Sequence, residues 1–207
     1  LLAKTVDINS GTMNAAGVRA VGDAMAPEFT ALGFEVRWES LPPELERAGH
    51  FHAERRGERG QRVLMIGHLD TVLPAVPPRL GDGRLEGTGA LDMKGGFAAL
   101  VGALRLLWIR GGGTPEGLTL VAVPDEEVGG PISELVVREQ GTTARAVLVL
   151  EPGGRSDGGE TIVTGRRGLS VWRLDARGRA AHSGLAFADG RSALAAAGEW
   201  SALVQKL

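Results

Sequence analysis

Three short runs of apolar residues, without alternating polar positions, divide the chain at residues 63–66, 118–123 and 146–150. Continuous apolar runs of this length are typical of strands inside a parallel sheet that is covered on both faces. Histidine or carboxylate side chains follow the runs, in order His68 and Asp70, Glu126 and Glu127, and Glu151. The pattern therefore predicts three buried strands whose C-terminal ends all carry chemically active groups.

Apolar positions at helical spacing predict helices in the segments between and around these strands. The helical segments are residues 13–32, 94–109 and 132–139. Pro27 lies inside the first and predicts a break or kink, because proline removes a backbone hydrogen bond. Alternating polarity predicts further strands at residues 34–38 and, more weakly, 50–55. The Pro- and Gly-rich residues 74–88 predict a loop.

Strands that alternate with helices predict an α/β fold, with a mixed, mostly parallel sheet and helices on both faces. In sheets of this kind, ligands bind beyond the carboxyl ends of the strands. The side chains that follow the three apolar runs are expected to meet there. Asp92, which opens the 94–109 helix after a glycine-rich stretch, is a candidate for the same place.

The character of the chain changes after the third run, where residues 153–159 form a turn-rich connector. Beyond it, residues 161–164 and 169–176 are predicted to form strands, and residues 192–204 a helix. We therefore predict two domains, a catalytic domain over residues 1–160 and the start of an α+β domain over residues 161–207.

Composition limits the possible functions. The 207 residues are 43% apolar and 23% charged, with a formal net charge of −2, as in a soluble globular protein. This near-neutral balance argues against binding to nucleic acid, which needs a basic surface. No apolar run approaches the roughly 20 residues that span a bilayer, so no membrane segment is expected. With no cysteine in the chain, any metal must be held by His, Asp and Glu.

Hydrolysis of an amide can use a metal as a Lewis acid and a carboxylate as a general base. Glu126 and Glu127 are adjacent, so one can bind a metal while the other accepts a proton; alone, such a pair is more often a solvated acidic turn. In the His68-Leu69-Asp70 sequence, Asp70 can accept a hydrogen bond from the His68 ring, as a carboxylate often does behind a metal-bound imidazole. The alternative is a buried His–Asp pair without a metal.

Three other features allow more than one interpretation. The glycines before Asp92 suggest a nucleotide-binding loop, but Asp92 stands where the third glycine of the fingerprint belongs, and it would repel a phosphate. We expect Asp92 to serve better as a carboxylate between two metals, or as a simple helix cap. His182 lies in a loop of small residues, where a histidine is more often structural. His50 and His52 are predicted to lie on the surface.

Five segments, in this order along the chain, resemble the motifs of the zinc aminoacylase and glutamate carboxypeptidase family of metallopeptidases, which includes acetylornithine deacetylases and succinyl-diaminopimelate desuccinylases. The resemblance is strongest to the glutamate carboxypeptidase branch. The segments are His68-Leu69-Asp70-Thr71-Val72, residues 89–96 (Gly-Ala-Leu-Asp-Met-Lys-Gly-Gly), Pro124-Asp125-Glu126-Glu127, Leu150-Glu151-Pro152 and residues 178–184 (Gly-Arg-Ala-Ala-His-Ser-Gly). The resemblance covers nearly the whole chain but only about the first half of a typical member.

The resemblance implies a site with two zinc ions (Zn2+), for which Co2+ or Mn2+ can substitute. His68 and Glu151 would bind one ion and Glu127 the other. Asp92 would bridge the two. The family's remaining zinc ligand is a late histidine that no residue of this chain matches.

The resemblance also implies catalytic roles. Glu126 would be the general base, Asp70 would orient His68, and His182 would be the histidine of a lid domain that helps to hold the scissile carbonyl oxygen, often across a dimer.

The implied activity is hydrolysis of an amide bond next to a free carboxylate, in a small peptide or an N-acyl amino acid, by a homodimer formed through the lid. The alternative is a truncated, catalytically inactive metal-binding fragment. A cytoplasmic location is expected, and a periplasmic one is left open because the chain does not begin with Met.

Overall fold

The computed structural model describes residues 1–58, 62–111, 113–169 and 171–205. The chain divides into two compact units, Leu1–Thr161 and Ile162–Leu207. No helix among the described residues is long and apolar enough to cross a bilayer.

The first unit contains most of the regular structure. Its helices are α1 (Leu2–Val6), α2 (Ala15–Ala31), α3 (Lys94–Gly111) and α4 (Glu134–Thr142). Its strands are β1 (Glu35–Glu39), β2 (His50–Arg55), β3 (Val63–His68), β4 (Arg79–Gly81), β5 (Arg84–Glu86), β6 (Leu118–Val123), β7 (Ala146–Val149), β8 (Gly154–Ser156) and β9 (Gly159–Thr161). In the second unit, the described residues include one α-helix, α5 (Ala193–Val204).

Five strands form the central sheet in the order β1-β2-β6-β3-β7. Strand β3 is parallel to both of its neighbours, β6 and β7. Strand β2 is antiparallel to both β1 and β6. Four of the five strands therefore run in one direction and only β2 runs in the other, which confirms the predicted mixed, mostly parallel sheet.

Helices cover both faces of this sheet, as the sequence predicts. On one face, α2 and α3 contribute Phe29 and Phe97 to a core with Phe51, Met65 and Leu120 of the strands. On the opposite face, Val136 of α4 packs with the alternate strand residues Leu64, Val121 and Val123. Because neighbouring residues of a strand point to opposite faces, strands β3 and β6 are apolar at nearly every position, the exceptions being His68 and Thr119.

Some local predictions are wrong. Helix α2 is continuous through Pro27, so the predicted break is absent, while the alternative of a kink stays a prediction. Packing of Met25 and Phe29 in the core offsets the roughly 3 kcal/mol cost of an internal proline. The helix begins after Asn14, whose side-chain oxygen accepts a hydrogen bond from Gly17 N–H. The predicted loop at residues 74–88 contains the short hairpin β4–β5.

The periphery of the fold departs further from the predictions. Strand β7 was expected to be buried, yet all four of its residues are exposed, because it is an edge strand. In the second unit, neither residues 162–164 nor the described part of 169–176 forms a strand. His50 and His52 are not on the surface: each is only 2% exposed, on the face of the sheet that α4 covers.

Candidate metal and catalytic site

Parallel pairing of β3 with β6 and β7 brings the C-terminal ends of three strands to one edge of the sheet. His68 is the last residue of β3 and is 1% exposed. Glu126 and Glu127 follow β6 by a few residues, and Glu151 follows β7. The strand-end arrangement expected from the sequence is therefore present.

Three potential metal ligands surround one point at this edge. His68 Nε2 lies 3.0 Å from Asp92 Oδ1 and 3.2 Å from Glu151 Oε1. One ligand atom from each of the three residues lies within 4.8 Å of the others. The structure thus brings His68, Asp92 and Glu151 together, each from a different segment of the chain.

Close packing of α3 against the sheet places Asp92 beside His68. A Cβ atom on Gly67 would lie 2.5 Å from Met93 Cε, and one on Gly96 would lie 2.1 Å from the carbonyl oxygen of Leu150. Only glycine therefore permits the start of α3 to approach β3 and the end of β7 so closely. The His68 backbone N–H points to Met93 Sδ at 3.0 Å, and the Asp92–Met93 peptide bond is cis.

The buried carboxylate of Asp70 connects the parts of the site. Its Oδ1 lies 3.3 Å from His68 Nδ1 and accepts a hydrogen bond from Glu126 N–H at 3.2 Å. Its Oδ2 accepts hydrogen bonds from Glu127 N–H at 3.2 Å and from the Thr12 hydroxyl at 2.8 Å. The nearer partner of His68 Nδ1, at 2.9 Å, is the backbone oxygen of Asp70 rather than its carboxylate. Both contacts with Nδ1 leave Nε2 directed at the carboxylates.

The loop that carries the two glutamates is also fixed from its other side. Asp125 is fully buried, and its carboxylate accepts hydrogen bonds from Ile132 N–H at 2.8 Å and from the Ser133 hydroxyl. His50 Nε2 contacts the same hydroxyl at 3.3 Å. This network holds Asp125, the residue that directly precedes Glu126 and Glu127.

The Glu126 carboxylate lies at the rim of the triad, with Oε2 4.0 Å from His68 Nε2 and about half of its side chain exposed. The Glu127 side chain is partly buried and lies outside the three-residue cluster. The two glutamates therefore differ in position, as different roles require.

The crowding of carboxylates controls the local electrostatics. Burial opposes protonation of His68, but hydrogen bonds and charges of Asp70 and Glu151 outweigh it and raise its pKa to about 11. For Glu126 and Glu127, burial raises the pKa. The charge of His68 acts to lower it, and the charges of the neighbouring carboxylates raise it further. For Asp70, burial acts in the raising direction, but hydrogen bonds from His68 and Thr12 prevail and lower the pKa.

Sequence reasoning missed two contributors, Thr12 from outside the motifs and Lys94 from within the segment 89–96. Thr12 is buried and bonds to Asp70, 58 positions away. Lys94 is 2% exposed, donates from Nζ to the Ile8 carbonyl oxygen at 3.0 Å, and has its pKa lowered by burial to about 8. For Lys94 a sequence signal existed, because lysine otherwise occurs only at positions 4 and 206. No comparable signal marked Thr12.

His182 belongs to the second unit, Ile162–Leu207. It is exposed, and its Nδ1 accepts hydrogen bonds from the backbone N–H groups of Gly184 and Leu185, each at 3.1 Å. These bonds form a local turn and leave Nε2 for another partner. Its implied role as a lid residue stays a prediction.

The residues present fit a divalent ion. Histidine nitrogen and carboxylate oxygen are both zinc ligands, and catalytic zinc sites use three protein ligands and keep one position open. The His68 ring is held at Nδ1, and its Nε2 faces the two carboxylates, as the ring of a ligating histidine must be. The carboxylate oxygens of Asp92 and Glu151, 3.0 Å and 3.2 Å from His68 Nε2, supply the negative charge that a cation would neutralise.

Known proteins match this chain over most of its length. A family model described as peptidase family M20/M25/M40 matches residues 64–205. Carboxypeptidase G2 from Pseudomonas sp. is 32% identical over 206 residues, covering 96% of this chain and 48% of the relative. A succinyl-diaminopimelate desuccinylase from Rhodospirillum centenum is 36% identical over 176 residues, 78% of this chain and 45% of the relative. The chain spans about half the length of these curated relatives.

Solved structures show the same fold. An aminopeptidase from Bacillus cereus superimposes with a TM-score of 0.69 at 20% identity, covering 95% of this chain and 53% of the other. An M20 family metallo-carboxypeptidase from Sulfolobus solfataricus gives a TM-score of 0.62 at 19% identity, covering 76% of this chain and 38% of the other. The match of the family model over residues 64–205, more than half of the chain, shows that the chain belongs to peptidase family M20/M25/M40.

Proposed function

We propose that this chain carries the metal-binding half of a hydrolase that cleaves an amide bond next to a free carboxylate, in a small peptide or an N-acyl amino acid. The observation that carries the proposal is the convergence of His68, Asp92 and Glu151 within 4.8 Å at the C-terminal edge of the sheet. The names of the relatives, a carboxypeptidase and a desuccinylase, support this substrate class.

His68, Asp92 and Glu151 would hold a divalent ion, preferably Zn2+. When bound, the ion would act as a Lewis acid that polarises a carbonyl group and lowers the pKa of water. Asp92 and Glu127 would hold a second ion. Co2+ or Mn2+ would be tolerated at the same ligands, which are nitrogen and carboxylate oxygen.

Glu126 is the residue that we assign as general base. Its Oε2 lies 4.0 Å from His68 Nε2, close to the triad without belonging to it. Its pKa is raised by burial and by the neighbouring carboxylates, which makes it a better proton acceptor than an ordinary surface glutamate. Glu126 would take a proton from the attacking water at Oε2 and later pass it to the leaving amine.

Asp70 would position both halves of the site. Its backbone oxygen and carboxylate hold His68 Nδ1, and the carboxylate also holds the backbone of Glu126 and Glu127. His182 would hold the substrate carbonyl oxygen in the dimer of the complete enzyme.

To test the proposal, a chelator removes metal from the protein, and hydrolysis of N-acyl amino acids is then measured with and without added Zn2+. We expect hydrolysis that requires zinc and that falls by about 10²–10⁴-fold in Glu126→Gln. Glu134→Gln, an exposed glutamate on α4 paired with Arg138, is the matched control and should keep full activity.

A loss of less than about tenfold in Glu126→Gln would contradict its assignment as the base. Zinc binding without any turnover would favour the alternative, a metal-binding chain that is not itself a catalyst. Absence of zinc binding would refute the proposed site altogether.

A further inference from the structure

The segment that precedes α2 contributes a side chain to the interior of the site. Thr12 is only 6% exposed, and its hydroxyl donates to Asp70 Oδ2 at 2.8 Å. This is the shortest hydrogen bond to that carboxylate; the bonds from Glu126 and Glu127 N–H are both 3.2 Å. The Thr12 hydroxyl therefore contributes most to fixing Oδ2.

The orientation of the Asp70 carboxylate determines the position of several groups at once. Oδ1 faces His68 Nδ1 and Glu126 N–H, and Oδ2 faces Glu127 N–H and Thr12. Rotation of the carboxylate about its Cβ–Cγ bond would misalign all of these contacts together. A side chain that prevents this rotation would act on both the metal-binding histidine and the loop of the base.

The Thr12 hydroxyl is not needed to attach its own segment to the protein. Backbone hydrogen bonds already hold it: Thr71 N–H donates to the Ser10 oxygen at 2.9 Å, and Thr12 N–H donates to the Thr71 oxygen at 3.2 Å. The Lys94 ammonium also holds the Ile8 carbonyl oxygen. With these bonds in place, the hydroxyl has Asp70 as its partner and the orientation of that carboxylate as its effect.

We propose that Thr12 is a positioning residue, whose hydroxyl locks the Asp70 carboxylate in the rotamer that aligns His68 for metal binding and holds the backbone of Glu126 and Glu127. The metal-related part of this role rests on the proposed function. The alignment of the Glu126–Glu127 loop does not, because its hydrogen bonds exist without any ion.

The test compares Thr12→Val with Thr12→Ser. Valine keeps the shape of threonine but removes the hydroxyl, whereas serine keeps the hydroxyl. Amide hydrogen exchange is measured by NMR in the metal-free chain at Glu126 and Glu127, which donate to Asp70, and at Thr71, which reports attachment of the preceding segment. Zn2+ affinity is measured by calorimetry. Thr5→Val is the control, since it removes another buried hydroxyl of the N-terminal region, bonded to Leu2.

In Thr12→Val, we expect exchange at Glu126 and Glu127 to become at least about tenfold faster while exchange at Thr71 is unchanged, and Zn2+ affinity to fall about tenfold. Thr12→Ser should restore both quantities, and Thr5→Val should leave both unchanged. If the valine variant does not fold, Thr12→Ala provides the same comparison with a smaller side chain.

Unchanged exchange at Glu126 and Glu127 in the valine or alanine variant would overturn the proposal. Equal acceleration at Thr71 would also overturn it, because Thr12 would then act by attaching its segment. If the wild-type chain binds no Zn2+ while Thr12→Val still accelerates exchange at the two glutamates, the proposed function fails and the positioning role of Thr12 stands.

Discussion

Gly96 and Gly102 lie in the same helix, α3, but in opposite environments. A Cβ atom on Gly96 would lie 2.1 Å from the Leu150 carbonyl oxygen, whereas one on Gly102 would meet nothing within 4 Å. Leu150 cannot easily move away, because its N–H is bonded to the Ile66 oxygen at 2.9 Å. Gly96→Ala should therefore push the start of α3 away from the end of β7. This displacement should also increase the distance between Asp92, which precedes α3, and Glu151, which follows β7.

The two substitutions should have opposite effects on the free energy of unfolding. In an open helical position, Gly→Ala stabilises by roughly 0.5–1 kcal/mol, which is the expectation for Gly102→Ala. At Gly96 the carbon–oxygen contact must lengthen by more than about 1 Å to reach the usual 3.3–3.6 Å. Overpacking of this kind costs about 1–3 kcal/mol, which exceeds the gain in helix propensity.

Thermal unfolding monitored by circular dichroism measures this difference. With about 2–4 °C per kcal/mol for a chain of this size, an overpacking cost of about 1–3 kcal/mol should make Gly96→Ala melt roughly 2–12 °C below Gly102→Ala. Zn2+ affinity should fall in Gly96→Ala and stay unchanged in Gly102→Ala. A Gly96→Ala variant that is as stable as Gly102→Ala and binds zinc normally would refute the claim that close approach of α3 builds the site.

Three further predictions concern the metal, pH and association. Calorimetry should show that Glu127→Gln weakens binding of a second zinc and that Glu126→Gln leaves binding of the first zinc unchanged. Weaker zinc binding in Glu126→Gln, with unchanged binding in Glu127→Gln, would mean that the two residues have exchanged roles. Burial and the charge of Arg37 lower the pKa of His52 in the folded chain to about 4, from its ordinary value of 6.5. Below pH 6.5 the unfolded chain therefore takes up a proton at His52 that the folded chain does not. The free energy of unfolding should fall by on the order of 3 kcal/mol as the pH drops from about 6.5 to 4. Urea titrations should show this slope flattened in His52→Gln, and an equal slope in that variant would contradict the origin of the effect. The chain should self-associate, because Trp172 and several neighbouring apolar side chains of the second unit are exposed. A monomer by light scattering, together with amide hydrogen exchange as slow in the second unit as in β3, would contradict this prediction.

The centre of the fold was predictable because its pattern is redundant. Strands β3 and β6 carry apolar residues on both faces, and helix α3 buries Phe97, Val101 and Leu104 at helical spacing, so each segment indicates its own structure. Parallel strands in order then place their C-terminal residues at one edge. His68 and Glu151 could therefore be grouped without knowledge of any contact, whereas the place of Asp92 beside them was implied by the resemblance to the metallopeptidase family.

Predictions failed where structure depends on a partner that sequence does not specify. His50 and His52 alternate with the buried Phe51 and Ala53, which correctly indicates the opposite face, but not that α4 covers it. In the second unit, alternation at residues 169–176 defines two faces without supplying a neighbouring strand for its backbone groups. The role of Thr12 could not be predicted from the sequence for the same reason, since its partner Asp70 is 58 positions away.

The central claim is that His68, Asp92 and Glu151 form one metal site within this chain, and zinc stoichiometry tests it most directly. Elemental analysis after dialysis should find about one tightly held zinc per chain, because in the part of the chain that the structure describes this is the one cluster with three potential protein ligands. His68→Ala should release that ion, and His182→Ala, which alters the exposed histidine of the second unit, should retain it. Two tightly held ions per chain, or zinc retained in His68→Ala, would contradict the account.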